Sequence, residues 1–175
     1  MLVAITGTPG VGKSTVSAVL RERYEVIDIH SFAEENGLFE GFDEEAGSYD
    51  VDVDRLSDSL QDWKCDDIVF MDGHLSHFVD CDAIVVMRCS PGVIAERLRA
   101  RAYDEAKVRE HVQAEILDVI LCESADSGTD RVYEIDCTAL SPSEAAGMIE
   151  DIITGNIDGV PPGSVDWSKE MEEWF

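Results

Sequence analysis

The sequence predicts an α/β fold, a five-stranded parallel sheet with helices on both faces. Three observations lead there. Short apolar runs alternate with stretches of helical spacing from residue 2 to about residue 153, the pattern of strands joined by helical crossovers. The runs are continuously apolar, as strands covered on both sides are. A glycine-rich turn separates the first run from the first helix, and no linker or internal repeat divides the chain.

"LVAIT" (2–6) is the first strand, and a helix follows from about Ser14 to Arg23. "EVIDI" (25–29) is the second strand. Residues 30–53 are polar and acidic, with one short helical piece, "SFAEEN". Asp54 to Lys64 reads as a helix with Leu56 and Leu60 on one face. "DIVFMD" (67–72) and "DAIVVMR" (82–88) are the third and fourth strands. Ser90-Pro91 opens a helix to about Ala102, with serine as N-cap and proline in the first turn. A further helix spans about 104–125, carried by Val108, Val112, Ile116, Val119 and Ile120. "RVYEID" (131–136) is the fifth strand, and "SPSE" (141–144) is a capping box that starts a helix to about Ile153. In the tail (155–175), Pro161-Pro162 stop any helix; beyond them Trp167, Met171, Trp174 and Phe175 share a helical face, suited to docking on the protein's own body or on a partner.

The chain has 175 residues, 45% of them hydrophobic, enough for one domain with a core. Against 13 basic residues stand 38 acidic ones, a net charge of −25. Such self-repulsion is best tolerated where salt screens it, so the surface reads as halophile-type; the other reading is an ordinary acidic protein with a basic partner. No basic stripe supports sequence-specific nucleic-acid binding. No apolar run is long enough to span a membrane, and "MLVAITG" reads as a strand rather than a signal peptide. Five cysteines without zinc spacing fit reduced thiols in a cytoplasm.

"GTPGVGKS" (7–14) matches G-x-x-x-x-G-K-[ST] between an apolar strand and a helix, the context a phosphate-binding loop requires. Gly7, Gly10 and Gly12 let backbone N–H groups close on phosphate oxygens. Lys13 reaches the β and γ phosphates of a nucleoside triphosphate, and Ser14 offers a hydroxyl to Mg²⁺. Strand C-termini share one sheet edge in this architecture, so Asp72, ending the third strand, faces the same site. There it is a Walker-B-type carboxylate that can hold Mg²⁺ opposite Ser14. His74 faces the same edge and can contact a second nucleotide or position water. His77 has no constellation around it and reads as a loop histidine. Arg97 and Arg101 share a helix face and could surround a transferred phosphoryl group. Arg101 is the favoured functional cation, and Arg99 and Arg109 read as solvated.

These stretches, with "GFDEE" (41–45), "DVDRL" (52–56), "MDGH", "ERLRARAYDEAKV" and "QAEIL" in the same order, resemble the adenylate kinase isoenzyme 6 family, also called coilin-interacting nuclear ATPases. The resemblance covers about residues 1–153. It implies a P-loop NTPase of adenylate-kinase-like form, with a small nucleoside-monophosphate-binding insert at about 28–51 and a short lid at about 100–110. It also implies Mg-ATP as cofactor, AMP as acceptor, intrinsic ATPase activity, and a link to small ribosomal subunit maturation through a ribosomal protein. Carried over by motif, Gly10, Gly12, Lys13, Ser14 and Thr15 contact ATP phosphates, Arg101 is the lid arginine, and Asp72 and His74 are tied to catalysis. The family often has R-G-Y where this chain has Arg101-Ala102-Tyr103, and D-x-H-G where it has Asp72-Gly73-His74-Leu75. Two functions follow: a kinase making two ADP from ATP and AMP, or an ATPase assembly switch acting on a ribosomal protein with negligible AMP phosphorylation.

Overall fold

A computed structural model describes residues 1–43, 48–60 and 67–175. In chain order the elements are β1 (Leu2–Thr6), α1 (Lys13–Leu20), β2 (Glu25–Asp28), α2 (Ile29–Glu35), β3 (Phe39–Asp43), β4 (Ser48–Val51), α3 (Val53–Leu60), β5 (Val69–Asp72), β6 (Ala83–Arg88), α4 (Pro91–Ala100), α5 (Glu105–Ile116), α6 (Val119–Ala125), β7 (Val132–Asp136), α7 (Pro142–Thr154) and α8 (Met171–Trp174). Five strands form one parallel sheet in the order β2-β5-β1-β6-β7, as the apolar runs predict. Among the described residues no helix is long and apolar enough to cross a membrane.

The strands feed two cores because side chains alternate along them. Val3, Ile5, Val85 and Met87 point to the face covered by α1, α4, α5 and α7, where they meet Leu20, Leu98, Val112 and Ile149. Leu2, Ala4, Ile84 and Val86 point to the other face, against Ile29, Leu56, Leu60 and Leu121. Each fully buried Leu or Ile stabilises by about 1.5–3 kcal/mol relative to exposure.

Three elements differ from the sequence reading. The acidic stretch after β2 carries, besides the short helix expected there (α2), an unexpected antiparallel pair, β3–β4, whose period-two pattern is short and interrupted by Gly41. The predicted helix end at Lys64, and Glu44 and Glu45 of "GFDEE", lie outside the described residues. The predicted 104–125 helix breaks in two at Asp118, which sits at φ 57. Arg88 draws the Asp118 carboxylate inward at 2.5 Å, and the left-handed turn redirects the chain. Ser90 occupies the N-cap position of α4 with Pro91 behind it, but its side chain makes no cap bond; its N–H donates instead to Thr138 Oγ1 at 2.9 Å. The capping box at Ser141 and Glu144 forms as expected.

The tail docks on the body, though not by one face. Trp167 and Trp174 pack into the core cluster of the α1/α4/α5/α7 side, and Gln113 donates to the Trp174 carbonyl at 2.7 Å. Met171 and Phe175 stay exposed, and a 3-10 turn (Ser168–Glu170) separates Trp167 from α8.

Between α4 and α5, Ala102 stands at φ 60, in the left-handed region that suits glycine. Ala102→Gly removes this strain at the cost of a more flexible unfolded chain. The net expected gain is roughly 0.5–1 kcal/mol, seen as a higher thermal midpoint; an unchanged or lower midpoint would refute the strain.

Candidate active site

The site begins at the C-terminal edge of the sheet. Gly7 leaves β1 at φ 141, and a Cβ there would lie 2.3 Å from the Met87 carbonyl oxygen. Only glycine lets the loop pass this close to β6. Gly12, also at positive φ, caps α1, so the free N–H groups of that helix open onto the loop. Lys13 folds back, its Nζ donating to the Gly7 carbonyl and, at 3.2 Å, to the Thr8 carbonyl. Burial lowers its pKa to about 8, against the opposing pull of Asp72 and Glu115.

Asp72 is 5% exposed and ends β5 in register with Ile5 and Asp28 of the flanking strands. Burial raises its pKa; Ser17 and Lys13 oppose this, while Asp28 reinforces it. Burial and then Lys13 lower the pKa of His74. A cleft of about 240 Å³ is lined by Gly10, Gly12, Lys13, Ser14, Asp72, His74 and Arg101, joined by Asp28 and His30. The predicted residues therefore converge, except Thr15. That residue lines a second cleft of about 290 Å³ on the other side of the loop, with Val11, Met87, Leu140 and Ala145. Gly12 and Arg101 border both clefts. A larger cleft, about 670 Å³, opens beside Asp82 and Arg131 at the opposite edge of the sheet and contains none of the phosphate loop.

Residues 3–118 match a family model described as an AAA domain. Over 99% of its length the chain is 41% identical to a protein of Archaeoglobus fulgidus named "Putative adenylate kinase", covering 95% of it. A protein of the same name from Methanocaldococcus jannaschii is 40% identical, with all of this chain and 97% of that one covered. The chain belongs to this archaeal family. Its fold is also that of solved P-loop proteins at low identity. YorR of Bacillus subtilis, solved with phosphorylated GDP, matches with a TM-score of 0.59 at 19% identity, covering 89% of this chain and 97% of that one. Shikimate kinase of Bacteroides thetaiotaomicron matches at 0.50 and 14%, covering 88% and 98%.

Within this family member, Arg97 of α4 and Arg101 at its C-cap part company. Arg97 Nη1 donates to the Gly10 and Val11 carbonyls at 3.0 and 2.9 Å, bracing the loop from behind. Arg101, at the C-cap of α4, is left at the junction of the clefts. Arg99 pairs with Glu105, as a solvated residue would. His77 is not a loop histidine at the surface: it is 1% exposed, with Nδ1 3.0 Å from Thr6 Oγ1 and Nε2 3.2 Å from Glu123. It ties β1 to α6. Among the described residues no group of three or more His, Cys, Asp or Glu could hold a metal. Ser14 and Asp72 place a hydroxyl and a carboxylate on one cleft. These hard oxygen donors suit Mg²⁺, which keeps the rest of its shell as water and phosphate oxygen.

Sequence reasoning missed the buried residues behind the loop. Arg88 Nε meets Glu115 at 2.7 Å and Nη1 meets Glu134 at 2.5 Å. Glu115 lies three residues after Val112 and just before Ile116, on the apolar stripe of α5. A carboxylate on such a stripe is the signal that could have exposed it.

Proposed function

We propose that this chain transfers the γ-phosphoryl group of Mg-ATP to the α-phosphate oxygen of AMP, giving two ADP, with an intrinsic hydrolysis of ATP alongside. The observation that carries this reading is the pair of clefts meeting at Gly12 and Arg101. A phosphoryl transfer needs two nucleotide sites whose phosphate ends meet at one set of cations. In this reading the apolar cleft takes the adenosine of ATP, with Thr15 at its border. Gly10, Gly12, Lys13 and Ser14 hold the phosphates. Ser14 and Asp72 would hold Mg²⁺, whose charge would offset that of the phosphates. His74 and the acceptor insert read at about 28–51 would serve the acceptor, and about 100–110 would serve as the lid. Arg101 reaches the phosphoryl group from the lid base.

The observation that favours the second reading, an ATPase switch, is the acceptor side itself. It offers the imidazole of His30 but sets the Asp28 carboxylate on the same cleft. A weakly held AMP leaves water close to the γ-phosphate. The isoenzyme 6 resemblance, a cytoplasmic setting and a ribosomal-protein partner belong to this same proposal, as does a need for salt given the net charge of −25.

The test is Mg-ATP turnover in molar KCl with and without AMP, measuring ADP and inorganic phosphate. ADP formed only with AMP, without matching phosphate, supports the kinase. Stoichiometric phosphate regardless of AMP supports the ATPase. Arg101→Ala is expected to lower the rate about 10²-fold with little change in melting, because it removes a cation from the transition state and no described ion pair; a loss below about threefold would remove Arg101 from the chemistry.

A further inference from the structure

Glu115 is 2% exposed and uses both carboxylate oxygens. Oε1 accepts from Arg88 Nε at 2.7 Å, from the Cys89 N–H at 3.2 Å and from Trp167 Nε1 at 3.3 Å. Oε2 accepts from Thr8 Oγ1 at 2.5 Å. Thr8 is itself buried within the phosphate loop, and its carbonyl is one of the two that receive Lys13. One carboxylate thus joins the sheet, the phosphate loop and the tail.

The tail end of this connection is fixed independently. Val160 accepts from the Glu134 N–H at 2.8 Å. Glu134 Oε2 accepts from the N–H groups of Ser164 and Val165 at 2.7 and 3.1 Å. A Cβ on Gly159 would lie 2.1 Å from the Tyr133 ring, so the strap runs flat against β7. These contacts deliver Trp167 to Glu115. A buried carboxylate with four donors moves as their common partner, and loss of one donor shifts the rest.

We propose that Glu115 is a positioning residue for the phosphate loop and that the C-terminal tail acts on the ATP site through it. The Trp167 N–H helps fix the carboxylate, the carboxylate fixes Thr8, and Thr8 sets the backbone that receives Lys13. The tail belongs to the ATP site without touching ATP. This rests on the ATP-binding reading above. A purely structural carboxylate would alter stability and leave ATP affinity alone.

The experiment is equilibrium binding of Mg-ATP by calorimetry, with urea unfolding in parallel, on the full chain. Trp167→Phe keeps a ring and removes the N–H; Thr8→Val keeps the shape and removes the O–H. Both avoid Glu115→Gln, which strips Arg88 of a charged partner and endangers the fold itself. Each is expected to weaken Mg-ATP binding about threefold to tenfold. The double variant should bind no worse than the weaker single, because both break one relay. Either single binding like the wild-type chain, or losses that multiply in the double, would overturn the proposal even if the unfolding midpoint falls. A wild-type chain that binds no Mg-ATP would sink the ATP reading and this inference together, whereas a binding wild type with unaffected Trp167→Phe sinks the inference alone.

Discussion

Lys13→Met is expected to lower phosphoryl transfer by about 10³-fold or more, with the fold intact. Methionine keeps the length and apolar stem of the side chain but removes the charge. Catalysis of phosphoryl transfer rests on positioning and charge neutralisation, so a lost phosphate-facing cation is felt mostly in the transition state. Arg101 lines the same cleft and in the proposed reading already serves the same phosphoryl group, and the other neighbouring cations cannot substitute. Arg97 is bound to the Gly10 and Val11 carbonyls, and Arg88 is buried among carboxylates. Initial rates of ADP formation check this, and a loss of less than tenfold would refute it. The same residue sets a pH dependence. Burial leaves Lys13 with a pKa of about 8 in the empty site. Bound phosphates favour the charged form and raise that pKa. Below about 8 the lysine is already charged and ATP affinity is level. Above it, binding must take up a proton, and affinity falls by up to about tenfold per pH unit. Calorimetry across pH 7–10 should show this bend in the wild-type chain and none in Lys13→Met.

How far the sequence could be read depended on the range of the interactions. The sheet and its helices were legible because alternating apolar and helical runs are local signals, and Gly7 to Ser14 form a contiguous motif. Asp72 was legible once a parallel sheet fixed which edge it faced. Spacing put Arg97 and Arg101 on one helix face, and Arg101 was already the favoured cation, yet spacing could not show that Arg97 would brace the loop through the Gly10 and Val11 carbonyls. The break at Asp118 was hidden because Val112, Ile116, Val119 and Ile120 keep helical spacing across it, while the cause, Arg88, lies thirty residues away. His77 looked isolated because its partners, Thr6 and Glu123, lie 71 and 46 residues distant. The tail's docking depends on Glu115 and Glu134, which no local pattern connects to Trp167 or Ser164. The same limit applies to the loop's support: its motif is read in eight residues, but what holds it is drawn from four distant segments.

Arg88 is where that support is most exposed to a single change. It is 1% exposed, and one guanidinium faces three carboxylates: Glu115, Glu134 and Asp118. Removing it leaves Glu115 and Glu134 buried with their charge uncompensated, in a chain whose net charge is already −25. Arg88→Met is therefore expected to cost about 3–5 kcal/mol, the range for breaking a buried ion pair from one side. Arg88→Lys should fall between, since a lysine keeps the charge but cannot present Nε, Nη1 and Nη2 to three acceptors at once. Urea unfolding measures both, and a cost below about 1 kcal/mol for Arg88→Met would show the network to be dispensable. Replacing Arg88, Glu115 and Glu134 together by apolar residues removes the unpaired charges and should recover part of the loss. Full recovery is not expected. The two glutamates also accept from Thr8 and from the tail N–H groups, and those donors would then lie unpaired. The triple variant should consequently be more stable than Arg88→Met yet bind Mg-ATP less well than the wild-type chain, separating what the network contributes to the fold from what it contributes to the loop.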